Sequence, residues 1–467
     1  MNNKLVQCLF VVGIGAAIWF FPRPEGLTPA AWHLLAIFVA TIAGFIIKPI
    51  PIGAVAFAGV TLSALSGALK PSEALAGYSN TTIWLIVSAF LFSRAFIKTG
   101  LGRRIAYQIV KAIGHKTLGL SYAIILSDLV LAPATPSTTA RSGGVIFPIV
   151  RSLCEVFNSQ PGPTARRIGS FLMFSEYQGN GITSTMFMTA SSANVLFAAL
   201  ALSTFNLRIE WVTWTLGALV PGIISILVLP YFLYKVYPPE IKNTPEAHQL
   251  AKSELEKLGP MKTAEKMLIG IFVLMLSLWT THQYNHIEPT IVAMAGVIVM
   301  ILANIITWKD MVEEDSAWDT LIWMGSLVAL ADGLNKLGFI AWFAKIVGAS
   351  IAGFTWPVAL AILALSYFYI HYAFASMSAH VTALLPAFGA VGLATGAPPM
   401  LVMIVLAYFT HLSQSLTHYA TGPSPIYFGA GYVDQGTWWK LGFYISLINI
   451  VIWAGIGSIW WKVIGLW

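Results

Sequence analysis

Pro133-Ala-Thr-Pro-Ser-Thr-Thr-Ala-Arg-Ser-Gly-Gly144 interrupts an apolar segment that runs from Leu118 to Val150. Proline removes backbone donors and glycine loosens the chain, so this stretch cannot continue a regular helix. Irregular polar backbone at membrane depth is tolerated only where protein or a water-filled cavity covers it. Basic residues flank the segment at Lys116 and Arg151. Basic flanks at both ends place both ends on one side of a bilayer. The segment therefore reads as a re-entrant hairpin with the polar run at its tip, rather than as two crossings.

That the segment lies in a membrane follows from composition. Of 467 residues, 57% are hydrophobic and only 10% are charged, with a mean hydropathy of +0.76. A soluble domain is roughly a quarter charged, so this chain cannot clothe itself in a solvated surface. Seventeen Trp, sixteen Tyr and twenty-seven Phe suit interfacial belts. The net charge of +7 is spread along short loops and forms no basic patch, which argues against nucleic acid. Cys8 and Cys154 sit in or beside apolar stretches without metal-ligand spacing, so neither a disulfide framework nor a metal site is expected. The apolar run after Lys4 lacks a small-residue cleavage site and reads as a first helix, not a signal peptide.

A helix needs about 20 apolar residues to cross the hydrocarbon core. Full crossings are expected near Leu5–Phe21, Ala30–Ile47, Ile52–Leu69, Ile83–Ile97, Ile168–Leu202 and Trp211–Tyr234. The others fall near Met267–Thr280, Thr290–Ile306, Trp318–Leu334, Met400–Phe428 and Leu441–Trp461, about eleven in all. Ile168–Leu202 and Met400–Phe428 exceed one crossing and carry polar interruptions, which predicts broken helices. Lys98, Arg103, Arg104, Lys111 and Lys116 fall in one expected loop. The polar stretch from Tyr234 to Lys266 holds six lysines and five glutamates. If these face the cytoplasm, so does the N-terminus, and the C-terminus lies outside. The long stretch is the natural linker between halves, expected to be a surface helix with a solvated charged face.

The two halves repeat. Thr82-Ile-Trp-Leu-Ile-Val-Ser88 matches Thr320-Leu-Ile-Trp-Met-Gly-Ser326, and Thr82/Thr320, Ser88/Ser326, Lys98/Lys336 and Gly100/Gly338 share an offset of 238. Ser127/Ser366, Ala134/Ala373, Ser137/Ser376 and Ala140/Ala379 share an offset of 239. An odd number of crossings separates the copies, so the second enters upside down, as inverted repeats of secondary transporters do. The repeat supplies a second hairpin inside Pro357–Val391, with Ser376-Met-Ser-Ala-His380 aligned to Ser137-Thr-Thr-Ala-Arg141. Two tips meeting near the midplane offer hydroxyls, N–H groups and helix N-termini to the two ends of one dicarboxylate. Arg141 and His380 would offset its charge, since a cation in the bilayer marks function by default. Pairing of Arg141 with Asp128, or a plain core role for His380, is the structural alternative. A second mirrored pair of polar breaks, Met188 to Asn194 and Tyr419 to Pro425, adds Ser191, Ser192, Asn194, Thr421, Gly422 and Pro423 as candidate substrate contacts.

At these residues the chain resembles the divalent-anion:sodium symporter family of citrate, succinate and 2-oxoglutarate carriers, over essentially its whole length after the first helix. That family carries a Ser-Asn-Thr motif in each of two hairpins and a broken helix after each. Ser137-Thr138-Thr139 and Ser376-Met377-Ser378 stand in those places. The resemblance implies an all-α integral membrane protein with inverted repeats, a homodimer, and a transport domain that moves as an elevator against a scaffold. On that pattern residues 1–115 and 267–354 form the scaffold, 116–234 and 355–467 the transport domain, and 235–266 a cytoplasmic linker. In sodium-coupled members the motif Asn helps build ion sites, but here Thr138 and Met377 replace it. A thioether does not serve a hard cation that wants oxygen ligands. Arg141 and His380 resemble the family's exchangers, in which protein cations replace sodium. The resemblance implies sodium-independent antiport of 2-oxoglutarate, malate or succinate across the inner membrane, with a sodium-coupled symporter as the alternative. No cofactor is expected. No His-Glu-x-x-His occurs, Gly422-Pro-Ser-Pro425 lacks the second Gly of a nucleophile elbow, and Gly114-His-Lys-Thr117 is not a P-loop, so an enzyme is not expected. A passive anion channel would lack saturable counterflow.

Overall fold

The computed structural model describes residues 3–350 and 354–467. Met1, Asn2 and residues 351–353, near the end of the expected second scaffold segment, lie outside the described residues. Among those described, the secondary structure is helical, apart from one isolated bridge between Lys116 and Asn243. Among the described residues, nine helices are long and apolar enough to cross a membrane, and four shorter apolar helices accompany them.

Three helices open the chain: α1 (Asn3–Phe20), α2 (Pro29–Ile47) and α3 (Ile52–Leu65). Thr28 caps α2 by accepting from the Ala31 N–H at 3.2 Å, with Pro29 at the first helical position, where it costs no hydrogen bond. Helix α4 (Thr81–Thr99) is capped by Asn80 and stopped by Gly100 at φ 79°. A left-handed residue at that point frees the chain to start α5 (Leu101–Ile113) at once. The stretch expected as a basic loop is thus largely a helix, because Leu101, Ala106, Tyr107 and Val110 bury one side of it.

The quoted stretch folds as helix, break, helix. Helix α6 (Thr117–Leu131) ends in a tight turn at Ala132–Ala134; the chain then enters a helix again through a π-helical stretch, Thr139–Ile146, continuous with α7 (Phe147–Val156). The start of α6 and the turn that follows α7 (Ala165–Arg167) share one neighbour. The Thr117 N–H donates to the Lys242 carbonyl at 3.0 Å, while the Glu240 and Ile241 N–H groups donate to Arg166 and Arg167 carbonyls.

Next come α8 (Gly169–Met186), a short turn, α9 (Ser192–Phe205) and the long α10 (Trp211–Val236). Every residue of α8 is buried, so it is a central helix of the bundle rather than a lipid-facing one. The linker contains α11 (Pro245–Leu258). Its charged face is not wholly solvated. Arg104 of α5 is buried and grips Glu265 from Nε at 2.8 Å, and its Nη1 reaches the Gly259 carbonyl at 2.9 Å.

The second half repeats the order: α12 (Thr263–Thr280), α13 (Pro289–Leu302), α14 (Asp315–Lys336), α15 (Phe339–Ser350), α16 (Trp356–Ile370), a tight turn at His371–Ala373 and α17 (Met377–Ala394). The starts of α5 and α15 keep the 238 offset, and the whole of α6 and α16, with the turns that follow, keeps 239. The chain closes with α18 (Pro399–Leu412), a break, the short α19 (Ser424–Gly429) and α20 (Gln435–Ile450), prolonged to Val463. Gly442 presses on the Ser415 carbonyl and Trp438, Trp453 and Trp461 are fully buried, so the last helix packs tightly on the core despite its lipid-like composition.

A candidate substrate site where four helix starts converge

Each break leaves a helix beginning inside the protein, and helix starts carry unpaired N–H groups. Four such starts come together. Ser137 accepts from the Ala140 N–H at 3.1 Å, and its counterpart Ser376 accepts from the Ala379 N–H at 3.3 Å. Ser191 accepts from the Ala193 N–H at 3.2 Å, and the Thr421 N–H is taken by Ser424 Oγ at 3.0 Å. Between them lies a cavity of about 240 Å³ lined by Ser137, Thr138, Thr139, Ser191, Ser192, Ser376, Met377, Ser378, Thr421 and Gly422. The remaining lining comes from Lys48, Phe90, Ala193, Ala375 and His411. Aligned N-termini carry roughly half a positive charge each, so such a cavity favours an anion.

Gly422 explains why the walls can close so tightly. A Cβ there would stand 2.0 Å from Thr139 Oγ1. Any side chain there would have to turn the Thr139 hydroxyl aside, so glycine lets the first tip touch the second break as it stands.

Four residues expected at the site stand behind it. Arg141 is fully buried, and four of its five N–H donors are already engaged: Nε to Asp128 at 3.0 Å, Nη1 to the Thr135 and Ala190 carbonyls at 2.7 and 2.8 Å, and Nη2 to Ser184 at 2.7 Å. The expected role of offsetting substrate charge by contact is corrected here, because Asp128 already neutralises the guanidinium and the cavity does not reach it. Asp128 also receives Asn180 Nδ2 at 3.1 Å and the Thr183 hydroxyl. His380 is likewise buried, with its Nδ1 3.0 Å from Nδ1 of His371 and its ring edge-on to Tyr367 and Phe374. Asn194 closes its own break by donating to the Ser184 and Phe187 carbonyls at 2.7 and 3.0 Å. Pro423 precedes α19 without lining the cavity.

These buried groups do parallel work. Arg141 holds the carbonyl of Ala190 in the first break, and His371 Nε2 lies 3.2 Å from the carbonyl of Ala420 in the second. A carbonyl only accepts, so His371 carries its proton on Nε2 and receives the His380 Nδ1–H at its other nitrogen. Each polar tip region is thereby tied to the helix break of its own half. The halves meet through Tyr177, whose hydroxyl is 2.7 Å from Ser424 Oγ, and through Tyr427, whose hydroxyl lies 3.0 Å from Ser142 Oγ.

Sequence reasoning passed over Lys48, Phe90 and His411. Both ring nitrogens of His411 are buried and have no partner among the described residues. A histidine inside an apolar helix is a default sign of function, so that signal was present in the sequence. Nothing in the sequence singles out Phe90. Glu176 was missed too. It is buried, accepts from Ser142 Oγ at 3.1 Å and keeps its second oxygen unmatched among the described residues.

An all-helical membrane bundle with a partly open polar cavity at converging helix breaks has the architecture of a transport protein. The fold agrees with solved structures: the antimetabolite efflux pump MtrF of Neisseria gonorrhoeae (TM-score 0.60, 12% identity, 98% of this chain and 94% of that one) and the YdaH transporter of Alcanivorax borkumensis (TM-score 0.56, 12% identity, 99% and 98%). Residues 2–467 match the family described as the sodium:sulfate symporter transmembrane region, and the chain belongs to that family. Among its relatives are a Bacillus subtilis protein named "Putative malate transporter YflS", 50% identical over 99% of this chain and 97% of the relative. Dicarboxylate transporter 1 of spinach chloroplasts is 45% identical over 97% of this chain and 80% of its own length. The inner membrane protein YbhI of Escherichia coli is 40% identical over 100% and 99%.

Proposed function

We propose that the protein is a sodium-independent exchanger of small dicarboxylates, with 2-oxoglutarate, malate and succinate as the substrate class. The observation that carries this reading is the convergence of four helix starts on one hydroxyl-lined cavity of about 240 Å³. That volume lies below the ~300–1,000 Å³ of pockets for drug-sized ligands, which suits a small metabolite. Two pairs of inverted helix starts suit a molecule with a carboxylate at each end. Relatives named for malate and for dicarboxylates support the same class.

Antiport is favoured over sodium symport by what holds the breaks together. A bound sodium ion would gather carbonyl oxygens; here Arg141 and the His380–His371 pair gather the Ala190 and Ala420 carbonyls with protein charge and N–H groups. Met377 in the second tip adds no oxygen. On this reading the hairpins are re-entrant, and residues 116–234 and 355–467 form a carriage that moves as an elevator. Residues 1–115 and 267–354 form the scaffold, within a homodimer of the inner membrane whose N-terminus and linker 235–266 face the cytoplasm.

The test is uptake of labelled succinate into proteoliposomes. Uptake should require internal dicarboxylate and be indifferent to a sodium gradient. Sodium-driven accumulation in empty vesicles would restore the symport reading.

A further inference from the structure

The inverted repeat extends to the two loops that join the opening helices of each half, and there it places a basic residue in an unusual backbone conformation at matched positions. Lys48 ends α2 at φ 53°, ψ 52° and His286 ends the helical turn after α12 at φ 55°, ψ 15°. Both cap by donating their N–H to a carbonyl four residues earlier. Their offset is the repeat's own 238, and Pro51 and Pro289 keep it three residues on, each at the start of the next helix. Left-handed backbone at a helix end is the usual place of glycine or asparagine. A long basic side chain and an imidazole hold it here instead.

On the topology proposed above, the two positions lie at opposite faces of the membrane. Helix α1 leaves the face that carries the N-terminus and α2 returns to it, so Lys48 stands there. An odd number of crossings later, α12 ends at the other face with His286. In this structure Lys48 lines the cavity, although it belongs to neither tip nor break. Its side chain is exposed and hydrogen-bonds no group among the described residues.

We propose that Lys48 and His286 are a matched pair of docking residues, one at each membrane face. Each donates to a carboxylate of the bound substrate at one end of the carriage's travel. This rests on the elevator exchange reading above, and adds that the scaffold itself takes part in binding, once per half-cycle and with a different residue each time. A charge held by the fixed wall acts on the substrate only when the carriage has brought the cavity to it.

The test uses the full chain reconstituted in one orientation, with KM for succinate exchange measured from each face. Lys48→Gly is the informative variant, because glycine accepts the left-handed backbone with less strain and its melting temperature should not fall below that of the unsubstituted protein. KM should rise about tenfold at the N-terminal face and stay within about twofold at the other, the loss expected for one charge-assisted hydrogen bond. His286→Gly should give the mirror image. Equal changes at both faces, or no change in either variant, would overturn the proposal. A change in Lys48→Gly alone would overturn the pairing. A sodium requirement in the unsubstituted protein would remove the antiport reading while leaving the sided comparison intact, and absence of any dicarboxylate exchange would remove both.

Discussion

Replacing Arg141 with alanine separates two roles that a buried cation near an anion site could have. As a contact for substrate charge, the residue would set affinity. As the tie seen in the structure, it would set whether the first tip and the first break exist as one surface. The alanine variant strands Asp128, which has no exposure, and leaves the Thr135 and Ala190 carbonyls and Ser184 without their donor. Removing one partner of a buried ion pair costs about 3–5 kcal/mol. A loss of that size should lower the melting temperature of the detergent-purified protein and the fraction that exchanges. The KM of the molecules that remain folded should move much less. Arg141→Lys keeps the charge but not the planar fork, and one ammonium cannot serve acceptors on three sides, so little should be recovered. The Asp128→Asn/Arg141→Met double variant removes both charges and should be more stable than Arg141→Met alone by about 1–3 kcal/mol. An Arg141→Ala protein that melts like the unsubstituted one and binds dicarboxylate more weakly would refute the tie, and would return the residue to the cavity.

Other substitutions test separate features. Gly422→Ala should slow exchange, since its Cβ would meet Thr139 Oγ1 at 2.0 Å and force that hydroxyl aside. Adding Thr139→Ala should restore part of the rate, and a Gly422→Ala protein with normal exchange would show that the two breaks need not touch. His411→Leu gives up no hydrogen bond of the empty protein, so melting should be little changed while KM for succinate rises about tenfold; an unchanged KM would place His411 outside the substrate's reach. Asp310, outside the membrane helices, is held well below the usual carboxylate range by Lys98 and by the N–H and hydroxyl of Thr307. A depressed carboxylate stabilises the fold above its unfolded pKa of about 4 and ceases to do so as pH falls through the folded value. Asp310→Asn should therefore melt lower than the unsubstituted protein at pH 7, with the gap closing below about pH 4; a gap that persists in acid would assign the effect to the shape of the side chain.

Much of this arrangement was legible because membrane helices obey few rules. The polar run at Pro133–Gly144, its basic flanks and the constant offset were enough to expect helix–break–helix segments at the places where they occur, and the offset even carried the serine caps at Ser137 and Ser376. Most of the cavity lining followed, since hydroxyl residues at mirrored breaks have little else to do in common. What failed was the direction of long side chains. Nothing local decides whether Arg141 points to the cavity or away from it, because that depends on Asp128 thirteen residues earlier and on carbonyls of a break some fifty residues later. The same holds for His380, whose partner His371 sits in the tight turn that precedes its helix. Helix α5 was hidden for a related reason. Its charges read as a loop until Glu265, far along the chain, accounted for Arg104.

The two ties differ in kind, and this bears on how the halves could diverge after a duplication. The first half binds tip to break through Arg141, itself ion-paired with Asp128; the second does it through two imidazoles beside the ring of Tyr367. Tyr367 and Asp128 occupy the same repeat position, as do His380 and Arg141. A change in either member of the first pair strands a charge, whereas a change in the second leaves behind only neutral groups. Mutational drift is accordingly far more constrained on one side of the cavity than on the other. The second half is where a lineage could remodel its substrate preference one residue at a time, while the first stays fixed as its anvil.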